Sequence, residues 1–336
     1  MNDMTKEATL PGSGGQEKAA ARAEPRGRHR GVIWPHKLAV VPNILFVALI
    51  CLQLLPDRRP DAHVQFYRVF LALVEVVYLV YAAFGKEEEK VRTAGDLLAL
   101  LFGVMGVWQL LTVKLGVLDR LLFPSPASVL VLFIKEAPAE LRGAIGSLEI
   151  LLVGYGSALL AAVPLGLIAG WVGRLRRTVT PITRVLGPVP PTVYIPYAIV
   201  MLPTFMLSSM FVIFIGAFWP VFINTLNGVH TIEGRLIDSA RVLKLDHRTM
   251  ITKVIFPATL PSIVTGATIG LAMSFILLTA AEMIGATSGL GWWVKYFSDF
   301  ADYPRVIVGI LYTGVVVTAI MFGFDRVEKH LLRWRQ

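Results

Sequence analysis

The chain has 336 residues, 55% of them hydrophobic and only 16% charged, with mean hydropathy +0.65; a soluble domain would be about 25% charged. Its apolar residues fall in blocks separated by charge-rich breaks, which excludes a large soluble core and fits repeated membrane crossing. A single cysteine, Cys51, excludes an intramolecular disulfide, and the net charge of +9 sits beside the apolar blocks, so it reads as topology information rather than nucleic-acid affinity.

Residues 1–37 are polar, rich in Gly and Ala and basic toward their end. They cannot bury enough apolar area to offset their ordering entropy, so a disordered cytoplasmic tail is expected, with Arg26, Arg28 and Arg30 holding it inside. No apolar run with a small-residue cleavage site follows the first basic residues, so a signal peptide is not expected. Eight apolar blocks then follow as expected transmembrane helices: 38–55, 64–84, 97–115, 145–172, 186–202, 210–228, 263–285 and 306–324. Each is long enough for a hydrocarbon layer of about 30 Å. The block at 186–202 is crowded by Pro188, Pro190, Pro191 and Pro196, so its backbone is expected to be broken and to lie in protein or beside a cavity.

With the N-terminus inside, the inner segments hold 23 of the Lys and Arg residues and the outer segments 8, which places both termini in the cytoplasm. Two outer segments read as interfacial: residues 127–141, interrupted by Pro138, and the aromatic group Trp292, Trp293, Tyr296 and Phe297. The fourth block carries a face of small residues, among them Gly154, Ala158, Ala162, Gly166 and Gly170, suited to close helix packing.

Motifs for chemistry are absent. No GxxxxGK[ST] phosphate loop and no HExxH occur, and none of the six histidines falls inside an expected span. No catalytic residue and no metal ligand is assigned. Glu75, Glu149 and Glu282 lie within spans, where an ionisable group serves either as glue between helices or as part of a pathway. A gradient-driven secondary transporter using these carboxylates as a relay is the alternative reading, although no internal repeat accompanies it.

The polar segment 229–261 is too long for a tight connection and too apolar for a linker. Leu236, Ile237, Ala240 and Leu243 are spaced for a short amphipathic helix. Asp246 is placed to cap a second helix through residue 255, which Pro257 and Pro261 are expected to stop before the next span. The segment rests on lipid or fits a partner's groove.

Within it, Asp238-Ser239-Ala240-Arg241-Val242-Leu243-Lys244, followed by Phe256-Pro257 and Leu260-Pro261, resembles the Glu-Ala-Ala loop of ABC-importer permeases. The nitrate, sulfonate and taurine branch matches further, in order: Leu122-Phe123-Pro124-Ser125-Pro126, Pro164-Leu165-Gly166, Pro188-Val189-Pro190-Pro191, Gly216-Ala217-Phe218-Trp219-Pro220, Asn224-Thr225, and Glu282-Met283-Ile284-Gly285-Ala286 with Ser288-Gly289-Leu290-Gly291. The resemblance implies an all-α polytopic membrane protein with a six-helix type I importer core over 94–336, a coupling segment at 229–261, and two additional helices over 38–93. It implies a non-enzymatic permease in the bacterial inner membrane, importing a small solute such as nitrate, a sulfonate, taurine or bicarbonate. Its partners would be a second copy of the permease, two cytoplasmic ATPases that bind ATP and Mg, and an external substrate-binding protein; this chain itself would hold no cofactor. Coupling to the ATPase would fall to Asp238, Ser239, Ala240, Arg241, Leu243, Lys244 and Leu245. Pathway candidates are Tyr194, Met201, Asn224, Thr279, Glu282 and Met283.

Three departures stand out. Asp238 replaces the usual Glu, residues 201–210 lack the glycine-rich segment common at that turn, and Lys244 stands at a position usually held by Gly. A left-handed turn there is costly for Lys and free for Gly.

Overall fold

The computed structural model describes residues 40–85, 87–119 and 121–333. The tail expected over 1–37 lies outside them. Every regular element described is helical: α1 (Val40–Leu54), α2 (Val64–Phe84), α3 (Glu88–Gln109) with a π turn (Leu110–Lys114), α4 (Pro126–Trp171) and α5 (Gly173–Leu186). A 3-10 turn (Pro191–Tyr194) leads into α6 (Ile195–Met201), then α7 (Phe205–His230), α8 (Gly234–Val242), α9 (His247–Thr249), a π turn (Met250–Ile255), α10 (Phe256–Gly285), α11 (Leu290–Asp299) and α12 (Tyr303–Leu331).

The all-α membrane architecture matches the expectation; the count of eight spans is not confirmed. Among the described residues six helices are long and apolar enough to cross, and Val40–Leu54 and Pro191–Met201 are shorter. The described 15 residues of α1 reach only about 22 Å. The block at 186–202 is broken as expected: α5 ends at Leu186, and Pro190 and Pro191 force extended and 3-10 backbone before α6 begins. Ile195 and Ala198 of α6 are buried, and the Ser208 hydroxyl of α7 donates to the Ala198 carbonyl at 2.9 Å, so α6 packs one face on α7, whereas the broken stretch before it has no buried residue in its 3-10 turn.

Two further expectations are corrected. The outer segment at 127–141 is not a separate interfacial helix; it is the first part of α4, which runs 46 residues, roughly 70 Å. Ser125 caps it by accepting from the Ser128 N–H, and Pro126 sits in the first turn, where its missing N–H is harmless. Nor do Pro257 and Pro261 stop the helix that Asp246 starts. Residues His247–Gly285 form one continuous helix. The π turn just before Pro257 explains this: the Phe256 N–H reaches back five residues to the Ile251 carbonyl, and the widened turn accommodates the proline ring.

At the centre, α7 packs along most of its length between α4 and α10. Small residues set that approach. A Cβ at Gly166 would lie 2.8 Å from Thr225 Cβ, and one at Gly266 would lie 2.8 Å from Asn224 Cβ and 3.0 Å from the Pro220 carbonyl oxygen. The small face read from the fourth block is thus the face that meets α7. Replacing Gly266 by Leu is expected to separate α7 from α10 and lower the melting temperature of the purified protein sharply, the equivalent of about 3 kcal/mol or more. A melt like that of the parent would contradict this close packing.

The N-terminal helices build a second bundle with α3, around Leu49, Tyr67, Leu71, Tyr78, Leu98 and Phe102, reaching Ala127 of α4. The boundary drawn between 93 and 94 therefore falls inside α3. The α1–α2 loop is tied to the next connection by charge. Lys114 is buried against Asp57 at 2.6 Å, Arg58 and Arg59 donate to the Leu115 and Leu118 carbonyls, and the Ser125 hydroxyl donates to Asp61.

Candidate functional site

The segment joining α7 to α10 is held by one small anchor. Ala240 of α8 is 5% exposed and packs in a cluster with Leu167, Val229, Met250, Ile255 and Ile263, while Leu245 and Val254 close its edge. Around this anchor the helix presents an apolar ridge to the outside: Leu236 is 46% exposed, Val242 80% and Leu243 71%. Asp238 and Arg241 form an exposed pair at 3.4 Å, which contributes little to stability. The coupling residues read from sequence therefore divide. Asp238, Ser239, Arg241, Leu243 and Lys244 face outward, whereas Ala240 and Leu245 face the protein.

Lys244 makes the left-handed turn without glycine, at φ 52°. The surroundings dictate it. The Lys244 N–H donates to the Arg241 carbonyl at 2.9 Å, and Leu245 just beyond joins the same apolar cluster as Ala240, as in a Schellman helix end with its hydrophobic contact. Asp246 then caps the next helix by accepting from the Thr249 N–H at 3.2 Å. Hydrogen bonds from Thr249, side chain first and backbone second, hold the Asp246 carboxyl below its ordinary range. Because the folded value is lowered, this cap is complete above the unfolded carboxyl's titration and disappears as pH falls through the lower folded value. Lys244→Gly is expected to keep the turn and stabilise it by about 1 kcal/mol, whereas Lys244→Val should fray α8. Hydrogen exchange across α8 in the two variants measures this; equal protection would mean that φ at 244 carries no strain.

The pathway candidates do not form one site. Tyr194 lies on the 3-10 turn, and Met201 is exposed at the end of α6. Asn224 turns back onto its own helix, its amide donating to the Pro220 carbonyl at 2.8 Å, and it lies against Gly266 of α10. Thr279 lies 13 residues farther along α10, roughly 20 Å from the level of Gly266, with its hydroxyl on the Phe275 carbonyl. Met283 is partly exposed and Glu282 is 1% exposed.

Glu282 is the centre of a latch. One carboxylate oxygen accepts from the Ser147 hydroxyl of α4 at 2.5 Å, and the other accepts from the Gly291 N–H at the start of α11 at 2.7 Å. Ser147 in turn accepts from the Leu290 N–H at 3.0 Å. Gly289 makes the approach possible: its φ is 122°, and a Cβ there would lie 2.5 Å from the Glu282 carboxylate. A negative charge at the N-terminus of α11 is also favoured by the helix dipole. The sequence motif around Gly289 is legible, but nothing in the local pattern marks Ser147 as its partner, 135 residues away from Glu282.

The other two carboxylates do not join this latch. Glu149 is exposed, and Glu75 is buried on α2 in the separate N-terminal bundle. Sequence reading also missed Glu140, which is 1% exposed beside Gly309 of α12, with neither carboxyl oxygen hydrogen-bonded among the described residues. One turn earlier, Glu136 is paired with Arg305 at 2.9 Å. No group of three or more His, Cys, Asp and Glu suited to a metal ion occurs among the described residues.

Residues 162–333 match the family described as "Binding-protein-dependent transport system inner membrane component". The chain is 31% identical to a putative aliphatic sulfonates transport permease protein of Bacillus subtilis, over 69% of this chain and 84% of the relative. It is 36% identical to a nitrate import permease protein of Leptolyngbya laminosa, over 51% and 61%, and 30% identical to the taurine transport system permease protein of Escherichia coli, over 56% and 68%. Among solved structures, a chain of a methionine ABC transporter in inward-facing conformations superimposes with a TM-score of 0.51 at 21% identity, covering 59% of this chain and 98% of that one, which is a likeness of fold.

Proposed function

Because this chain belongs to the family of binding-protein-dependent transport-system inner-membrane components, and is therefore a transport permease rather than an enzyme, we propose that it forms the translocation pathway of an ATP-driven importer for a small anion. Two copies would enclose the pathway, two cytoplasmic ATPases would dock on their α8 helices, and an external binding protein would deliver the solute. ATP and Mg would reside on the ATPases. The observation that carries this reading is the α8 ridge: Leu236, Val242 and Leu243 stand exposed on a short helix anchored by Ala240 between two long apolar helices. An apolar ridge on a helix rooted this way suits a groove in a partner.

The bias of Lys and Arg supports an inner-membrane orientation with α8 and both termini in the cytoplasm. The sulfonate, nitrate and taurine relatives support a small anionic or zwitterionic solute. The coupling residues are Asp238, Ser239, Arg241, Leu243 and Lys244 on the outer surface, with Ala240 and Leu245 as their support. Tyr194, Met201, Asn224, Thr279, Glu282 and Met283 remain the candidates for lining the pathway.

Uptake into vesicles containing this chain, its ATPase and its binding protein is the test. Uptake should require ATP and persist when ion gradients are collapsed. Uptake that follows a proton or sodium gradient without ATP would establish the secondary-transport reading instead.

A further inference from the structure

Helix α5 joins α4 to the broken segment before α6, and it is basic without any acidic residue: Arg174, Arg176, Arg177 and Arg184 in 14 positions. Its place is marked by Arg176, whose guanidinium lies 2.5 Å from a ring nitrogen of His230, the last residue of α7. It therefore lies at the end of the bundle where α4 and α7 both finish.

At about 100° per residue its side chains fall in three strips. One strip packs on the protein: Val179 joins the cluster of Phe222 and Leu226, and Thr183 is buried. The second is apolar and uncovered, with Leu175 42% and Ile182 45% exposed. The third carries Arg174, Arg177 and Arg184, all exposed, whose guanidinium groups make no hydrogen bond or ion pair among the described residues. An oily strip beside a cationic strip, on a helix at the end of membrane-crossing elements, complements a surface that is apolar on one side and anionic on the other.

We propose that α5 lies in the headgroup layer with Leu175 and Ile182 toward the acyl chains, and that Arg174, Arg177 and Arg184 bind the phosphates of anionic phospholipid. The charge complementarity is one-sided, since α5 offers no carboxylate of its own to neutralise these arginines. An acidic protein surface could meet the arginine strip but would leave the apolar strip in water; a bilayer edge satisfies both. The inference needs α4 and α7 to cross a bilayer and is independent of ATP coupling.

The full chain, reconstituted in phosphatidylcholine vesicles with phosphatidylglycerol added, should retain phosphatidylglycerol on re-extraction in excess of its share of the bilayer, measured by mass spectrometry. Each arginine is expected to contribute about five-fold and the three together about a hundred-fold. The triple variant Arg174→Gln, Arg177→Gln, Arg184→Gln should lose the enrichment, and the matching triple Lys variant should keep it, because the interaction is one of charge. Soluble glycerol phosphate should not compete, since it lacks the acyl chains. The proposal is overturned if the Gln variant enriches phosphatidylglycerol as the parent does, or if glycerol phosphate displaces the lipid. It is equally overturned if the substitutions release a co-purifying ATPase while lipid enrichment stays, which would make the strip a protein-docking face. Should the triple variant fail to fold, each single Gln variant carries the same comparison at about five-fold.

Discussion

Glu282→Ala is expected to destabilise the end of the bundle around α11 by about 3–5 kcal/mol, because it removes one acceptor that serves two separate elements. The Ser147 hydroxyl and the Gly291 N–H would both be left buried without an acceptor. The connection from α10 to α11 should open, and cysteines introduced near 286–288 should label faster while those in α7 do not. Glu282→Gln keeps an acceptor oxygen and should lose less. Gly289→Ala attacks the same latch from the other side, since the new Cβ would meet the carboxylate at 2.5 Å on a backbone at φ 122°. Its melting temperature should fall as far as that of Glu282→Ala. A different pattern would assign Glu282 to the pathway: melting unchanged in Glu282→Gln and Glu282→Ala alike, with uptake lost in both.

The second large effect separates anchor from ridge in the coupling segment. Ala240→Glu places a carboxylate among Met250, Ile255 and Val229 with no cation within the cluster, at about 3 kcal/mol or more. α8 should detach, and loss of the ATPase would follow from that unfolding. Leu243→Glu is different, because Leu243 is 71% exposed. Its effect on melting should stay within about 0.5 kcal/mol, while ATPase co-purification and ATP-dependent uptake fall at least ten-fold, as for an apolar contact at the centre of an interface worth about 1.4 kcal/mol or more. Full assembly and uptake in Leu243→Glu would refute docking on this ridge, whatever Ala240→Glu does.

These two predictions could not have been separated from the sequence. Ala240 and Leu243 are neighbours in one amphipathic pattern, and both look apolar. Only the packing of α8 on the start of the long helix decides that one is covered and the other is not. The same holds for Glu282: its position late in an apolar block is legible, but its role depends on Ser147, brought to it by the packing of α4 against α10.

What the amino-acid sequence determined by itself was whatever depends on local composition and period. Apolar blocks as long as a bilayer is thick identified the membrane class, the prolines at 188–196 announced a broken segment, and the ordered motifs from residue 122 onward pointed to the permease family. The tertiary structure decided where local rules compete with packing. It carried the helix through Pro257 by widening one turn and merged the segment at 127–141 into α4, and among the described residues it shows six helices of full spanning length. It also forced Lys244 into the turn that glycine usually makes, because Leu245 must reach the apolar cluster beneath Ala240. A backbone preference of about 1 kcal/mol yields to the packing of a partly buried leucine, worth about 1–2 kcal/mol.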